Sequence, residues 1–330
     1  MYINKNFTYL LFVLIIASSV QAFAQNGWPD QVTKIEVQSS ADHTMQPSLS
    51  YTPKTNKQVP LLVALHTWSG DYKQWEGSTY AKWCIENGWA LIHPNYRGPN
   101  KSPESTGSDL VISDIKDAIK YMQETTNIDN SRIYLIGGSG GGYNSLQVVS
   151  KTPEIWAGVS TWVPITDLTA WYYENRKAGR VYANDITAST GGVPDSIASV
   201  DYQYLHRSPI NWLQYAKEVP IDIAAGIHDG HRGSVPISHS LLGFNKLADL
   251  VDRLSEEDIA FFVDSVKVPV QLKNDFFDSS YPTDKPLLFR RISNNVRVTI
   301  FDGGHDILYL TGLEWLSKQQ KGTSAIFENH

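Results

Sequence analysis

An α/β domain on a mainly parallel, doubly wound sheet, with helices on both faces and inserted lid loops, is predicted by three observations. Short continuous apolar runs recur at residues 61–65, 89–93, 133–136, 156–160 and 221–227. Strands of this kind are buried on both faces, as in a parallel sheet covered by helices. Stretches of helical period stand between them, the clearest at residues 108–125, where Val111, Ile112, Ile115, Ala118, Ile119 and Met122 share one stripe. The third is the junction Ile136-Gly137-Gly138-Ser139-Gly140-Gly141-Gly142, where a β-prone stretch runs straight into a glycine cluster. Alternating strands and helices joined by right-handed crossovers give the doubly wound arrangement.

The elements follow in order. Residues 33–51 read as strand material, closed by the turn-forming Thr52-Pro53-Lys54-Thr55-Asn56-Lys57. After the strand at 61–65, residues 80–88 read as a helix that ends at Gly88 as C-cap and holds Cys84 as a packing residue. The strand at 133–136 leads through the glycine cluster into a helix opening at Tyr143. Residues 164–213, rich in Trp, Tyr, Gly and Pro, and residues 269–286 fit the alternation poorly and are expected as irregular insertions. Such insertions form lids and pockets, or are surface decoration. Val296-Arg297-Val298-Thr299-Ile300-Phe301 alternates, which suits a sheet edge, and a last helix is expected around residues 308–317.

With 330 residues, 42% of them hydrophobic, the chain can bury one large core, and one domain over residues 25–330 is the simpler expectation. A net charge of -6 without any Lys/Arg run excludes a nucleic-acid surface. Residues 1–24 read as a secretory signal, with Lys5, an apolar stretch over 9–17 and an Ala22-Phe23-Ala24 cleavage site. Cleavage between Ala24 and Gln25 implies an exported protein without a stable membrane anchor, since the run is shorter than the ~20 residues a bilayer requires. Cys84 is the sole cysteine, so no intrachain disulfide can form.

Gly137-Gly138-Ser139-Gly140-Gly141 fits G-x-S-x-G, a strand-to-helix turn that lifts a serine hydroxyl above the sheet. A phosphate loop would need Gly-Lys-Ser/Thr, which is absent. A serine becomes a nucleophile when a base takes its proton and a carboxylate orients that base. His305, on Asp302-Gly303-Gly304-His305-Asp306 past the strand at 296–301, is the expected base. For the acid, Asp222 and Asp229 stand at opposite ends of the run at 221–227, roughly 20 Å apart. Chemistry in open α/β sheets lies outside the carboxyl ends of the strands, which selects Asp229. Asp302 and Asp306 are expected to shape the turn of His305. His228-Asp229-Gly230-His231 also resembles a metal cluster, but short spacing is a weak signal, and no metal or cofactor is expected. The oxyanion needs two N–H donors: Gly140 supplies one, and Thr67 or Trp68, after residues 61–65, the other.

These residues resemble the catalytic domain of the prolyl oligopeptidase family and its esterase relatives in the α/β-hydrolase superfamily. The pieces coincide in order over roughly residues 55–320: Leu65-His66, Pro94-Asn95-Tyr96-Arg97-Gly98, Asp114-Ile115-Lys116-Asp117-Ala118-Ile119, Arg132 through Gly142, Arg207-Ser208-Pro209, Val235-Pro236 and Gly303-Gly304-His305. The resemblance implies an α/β-hydrolase fold and transfers the triad to Ser139, Asp229 and His305. Two departures stand out. Thr67 replaces the glycine of the family's His-Gly turn, and Arg232 occupies the aspartate position of its His-Gly-x-x-Asp-x-x-Val-Pro loop. The propeller that precedes this domain in the family's peptidases has no room here, which turns the expectation from peptidase toward compact esterase.

Ten tryptophans and 17 tyrosines suit flat substrates such as sugar faces and aroyl groups. Trp68, Trp162 and Trp171 fall on loops after strands and are the candidates to touch substrate. Arg232 could grip a uronate carboxylate, and Arg97 reads as structural. The expected partner is a small-molecule or polysaccharide ester, acetylated or feruloylated. The alternatives are an exopeptidase on short peptides and a non-catalytic glycan-binding protein on a hydrolase scaffold.

Overall fold

The computed structural model describes residues 27–327. The signal-peptide reading of residues 1–24 lies outside them. The chain opens with an antiparallel pair, β1 (Thr33–Gln38) and β2 (Met45–Tyr51), then runs β3 (Val59–Leu65), α1 (Gly77–Asn87), β4 (Ala90–Pro94), α2 (Asp109–Thr125), β5 (Ile128–Gly138), α3 (Gly140–Lys151) and β6 (Gly158–Trp162). Three helices follow: α4 (Leu168–Lys177), α5 (Tyr182–Thr190) and α6 (Ala198–Arg207). The last part comprises β7 (Ile221–Gly226), α7 (Ser238–Leu247), α8 (Glu256–Ser265), β8 (Leu287–Ser293), β9 (Val296–Phe301) and α9 (Tyr309–Leu316).

Among the described residues, the nine strands form one sheet in the order β1-β2-β4-β3-β5-β6-β7-β9-β8. The six from β4 to β9 are parallel, and antiparallel β2 and β8 flank them. This is the α/β-hydrolase fold. The continuous apolar runs are buried on both faces: Leu61, Val63 and Leu65 join a core with α2, α3 and α7, while Leu62 and Ala64 point to the other side, against α1 and α9.

Local signals explain the helix ends. Ser108 Oγ accepts from Val111 N at the start of α2, and Gly88, at φ 68°, closes α1 in the left-handed conformation. Cys84 is buried, and burial raises its thiol pKa well above the usual range, so it stays an inert packing group.

Two expectations are corrected. Residues 164–213 are not irregular: α4, α5 and α6 pack Leu168, Trp171, Tyr172, Ile186, Val200 and Tyr204 into a separate aromatic-rich core above the sheet. β9 is not an edge strand either. Its polar positions Arg297 and Thr299 are buried because Asp222 pairs with the first and Arg290 of β8 donates to the second. Arg97, read as structural, is held by Asp42 and Asp114 at 2.6 Å each.

Candidate active site

Three loops at one edge of the sheet hold the candidate catalytic residues. β5, β7 and β9 end at Gly138, Gly226 and Phe301, and Ser139, Asp229 and His305 follow within four residues of each end. The nucleophile sits where strand becomes helix. Ser139 has φ 56° and ψ -121°, a region that L residues enter only under strain. Its amide donates to Trp162 O and its carbonyl accepts from Tyr143 N, both at 2.8 Å, which fixes the turn from two sides. The amide of Gly140 opens α3 and has no partner one turn back, so it is free to meet a developing anion.

Gly140 also presses against the loop after β3. A Cβ on it would fall 2.3 Å from Trp68 N, an approach that only glycine allows. Thr67 N is engaged elsewhere: it donates to Gln74 Oε1 at 2.8 Å, and Thr67 Oγ1 reaches the same oxygen at 3.2 Å. Thr67 N is thus taken up by Gln74, which leaves Trp68 N, against Gly140, as the candidate second donor. His66 braces this loop, stacked on Tyr96 with ring centroids 4.0 Å apart. Burial lowers its pKa, so the ring is a neutral support rather than a second base.

His305 Nδ1 lies 2.7 Å from Asp229 Oδ2. The other carboxylate oxygen accepts from the amides of Gly230 at 2.9 Å and Val235 at 3.1 Å. With Nδ1 donating to Asp229, Nε2 keeps its lone pair, the tautomer that a general base requires. Ile307 brings this loop to the elbow, since a Cβ on Gly138 would stand 2.2 Å from Ile307 Cδ1. Asp302 pairs with His228 Nε2 at 3.1 Å, and Asp306 accepts from Gly304 N and Lys285 Nζ at 2.8 Å each, so both shape the turn. His231 Nε2 turns to Val263 O at 2.7 Å, which sends the two imidazoles of the metal-like run to different partners. Arg232 is exposed on the same loop.

The tryptophans are corrected as substrate contacts. Trp162 has no exposed surface, bonds Ser160 Oγ at 3.0 Å and packs on Tyr281 and Phe301. Trp171 is 1% exposed and donates to Ser234 O at 2.9 Å. Trp68 is buried as well: its indole N–H donates to Asp185 at 3.2 Å and its ring meets Trp171 edge-on at 4.6 Å. Its contribution is the backbone amide. A large apolar side chain on a loop looks the same in sequence whether it faces solvent or a lid.

The residues alone did not point to Gln74, Arg180 or Tyr182. Gln74 decides which amide faces the oxyanion. Tyr182, half-buried, stacks on Trp171 at 5.2 Å and is the ring of this cluster nearest the surface. Arg180 binds the carbonyls of Gly233 and Ser234 in the acid loop. The Gly179-Arg180 step between two helical patterns was the available signal.

Known proteins share part of this sequence and of this fold. The chain is 27% identical over 116 residues to feruloyl esterase B of Thermothelomyces thermophilus, covering 32% of this chain and 39% of that protein. It is 26% identical over 207 residues to the acylamino-acid-releasing enzyme of Mus musculus, covering 56% of this chain and 26% of that one. The chain thus spans well under half the length of these relatives. Among solved structures, the acylaminoacyl peptidase of Pyrococcus horikoshii superposes over 90% of this chain and 43% of its own, with a TM-score of 0.60 at 15% identity. A thermostable esterase superposes over 88% and 64%, with a TM-score of 0.53 at 16% identity. The model of the prolyl oligopeptidase family matches residues 75–256, more than half of the chain. The chain belongs to the prolyl oligopeptidase family.

Proposed function

We propose that this chain is a serine hydrolase, an exported carbohydrate esterase that removes acetyl or feruloyl groups through an acyl-enzyme. The observation that carries the reaction class is the 2.7 Å bond between His305 and Asp229, on a loop that Ile307 packs against the elbow of a strained Ser139, where Gly140 and Trp68 offer their amides. Ser139 Oγ attacks the ester carbonyl while His305 Nε2 takes its proton. The two amides stabilise the oxyanion. The imidazolium, held by Asp229, returns the proton to the departing alkoxide, and a water activated by His305 then releases the acid.

Ester is favoured over peptide by the charges around the site. An exopeptidase that holds a free amino terminus needs a carboxylate to meet it. The carboxylates of the lid are committed: Asp185 to Trp68, Asp167 to the first amides of α4, Glu174 to His239, Asp195 to Tyr173 and Asp201 to the amide of Asp195. Similarity to a feruloyl esterase agrees with this reading, and the apolar leader at residues 9–17 motivates export. Similarity to acylamino-acid-releasing enzymes keeps one rival, release of blocked amino acids from short peptides. Acetylated, feruloylated and methyl-esterified oligosaccharides should be assayed beside N-acyl dipeptides. Sugar esters are expected to be turned over and Ser139→Ala to abolish both turnover and fluorophosphonate labelling. Turnover confined to the peptides overturns the esterase reading, and unlabelled wild type that still binds glycans would mark a non-catalytic protein.

A further inference from the structure

Arg180, in the link between α4 and α5, is half-buried and lacks a carboxylate partner among the described residues. It donates from Nη2 to Gly233 O at 2.8 Å and from Nη1 to Ser234 O at 3.4 Å. A guanidinium has five N–H donors and stays charged at any working pH. In the three buried arginines of the described residues that demand is met, whereas half-buried Arg291, like Arg180, has only carbonyl contact, to Asp252 O at 3.3 Å. Arg290 and Arg297 have Asp278 and Asp222 at 2.8 and 2.7 Å. Arg207, without a carboxylate, has Gln203 Oε1 and the carbonyls of Pro103, Ser105 and Thr106. Arg180 has two carbonyls, one of them long.

Its position is close to the chemistry. A side chain on Gly233 would fall 2.1 Å from Asp229 Oδ1 and 2.7 Å from His305 Cβ, so Gly233 lies directly on the acid-base pair. The guanidinium thus grips the carbonyl of the residue that packs on Asp229 and His305. The carboxylates of the lid that could have neutralised it have the other partners given above.

We infer that Arg180 is the anion-recognising residue of the active site and takes a carboxylate carried by the substrate beside the scissile acyl bond. That carboxylate is a uronate of a sugar chain or the free C-terminus of a peptide, and either can meet the guanidinium with two parallel hydrogen bonds. The inference rests on the serine-hydrolase reading of the preceding subsection and selects among its substrates.

The test compares matched pairs: an acetylated uronic-acid disaccharide against its uronamide, and an N-acyl dipeptide against its C-terminal amide. In the wild type the charged member of one pair is expected to show kcat/KM about tenfold above its neutral partner, the size of one charge-assisted contact. That pair identifies the source. In Arg180→Gln the ratio should fall to about one, and Arg180→Lys, which keeps the charge without the fork, should lie between. A wild-type ratio near one for both pairs overturns the inference. So does an equal loss on charged and neutral members in Arg180→Gln, which would assign Arg180 only to positioning the turn at residues 233–234. Fluorophosphonate labelling of Ser139 in the wild type is scored separately. Its absence would sink the hydrolase site itself, whereas labelling with no charge preference sinks only the role of Arg180.

Discussion

At the scale of single residues, Asp229 replaces by local geometry what the family's spacing would have put three residues later. Two backbone amides hold one of its oxygens and His305 takes the other, so the carboxylate is buried with donors on both oxygens. Arg232, at the family's acid position, is exposed and its amide closes a turn on His228 O. Asp229→Asn is thus expected to fold and to lose roughly 10³- to 10⁴-fold in kcat, because the amide can stabilise the wrong imidazole tautomer. Arg232→Ala should change kcat by less than about threefold. Steady-state hydrolysis of an aryl acetate measures both, and a larger loss for Arg232→Ala would give its guanidinium a part in holding the acid loop or the substrate. The strand-end turns that hold Ser139, Asp229 and His305 were legible because each is a short glycine-containing segment after a strand, where local sequence dictates local geometry. The choice of Trp68 over Thr67 was not, since it depends on a Gln74 side chain folding back over seven residues.

At the scale of elements, the segment at 269–286 is latched to the sheet rather than loosely attached. Asp278 pairs with Arg290 of β8 at 2.8 Å, and Ser280 O accepts from Thr311 of α9 at 2.6 Å. Burial opposes ionisation of Asp278, but hydrogen bonds from Ser280 and Arg290 outweigh it and hold its pKa at about 2, against the usual 3.8. Between those values the unfolded chain binds more protons than the native one. The stabilisation is therefore complete above about pH 4 and is lost as pH falls toward 2. Relative to Asp278→Asn, the wild type should be more stable by about 2 kcal/mol at pH 7, with the gap closing between pH 4 and 2. Urea midpoints at a series of pH values would show it, and a gap independent of pH would refute the ionic account. β8 itself was missed in the sequence. Arg290 and Arg291 interrupt its apolar pattern, and only the partners Thr299, Asp278 and Asp252 explain two arginines in a strand. The lid helices were missed for a related reason: their apolar faces pack on one another and on Trp68, so they show no stripe toward the sheet.

At the scale of the whole molecule, the sheet separates function from stability along its strands. The carboxyl ends of β5, β7 and β9 carry the candidate triad, while the opposite end of the sheet holds a buried ion pair. Asp222 opens β7 and Arg297 lies opposite it in β9, in register, 2.7 Å apart and at most 3% exposed. One carboxylate oxygen of Asp222 has no hydrogen-bond partner among the described residues, and the guanidinium lies 5.5 Å from the rings of Trp315 and Phe327. The pair therefore joins β7, β9, α9 and the C-terminal segment at one point. A pair so dry stabilises little beyond a well-packed apolar replacement, but breaking it strands a charge. Arg297→Met is expected to cost about 3–5 kcal/mol, a drop of roughly 10 °C in Tm for a chain of this size. Aryl acetate turnover at 20 °C should stay within about threefold of wild type, because β7 and β9 still deliver Asp229 and His305 to the opposite edge. Asp222→Leu combined with Arg297→Met should recover most of the lost Tm, since it removes the stranded carboxylate along with its partner. Calorimetry of the three variants decides the matter: a double variant no more stable than Arg297→Met would mean that the pair contributes attraction in its own right, and not merely relief from a burial penalty.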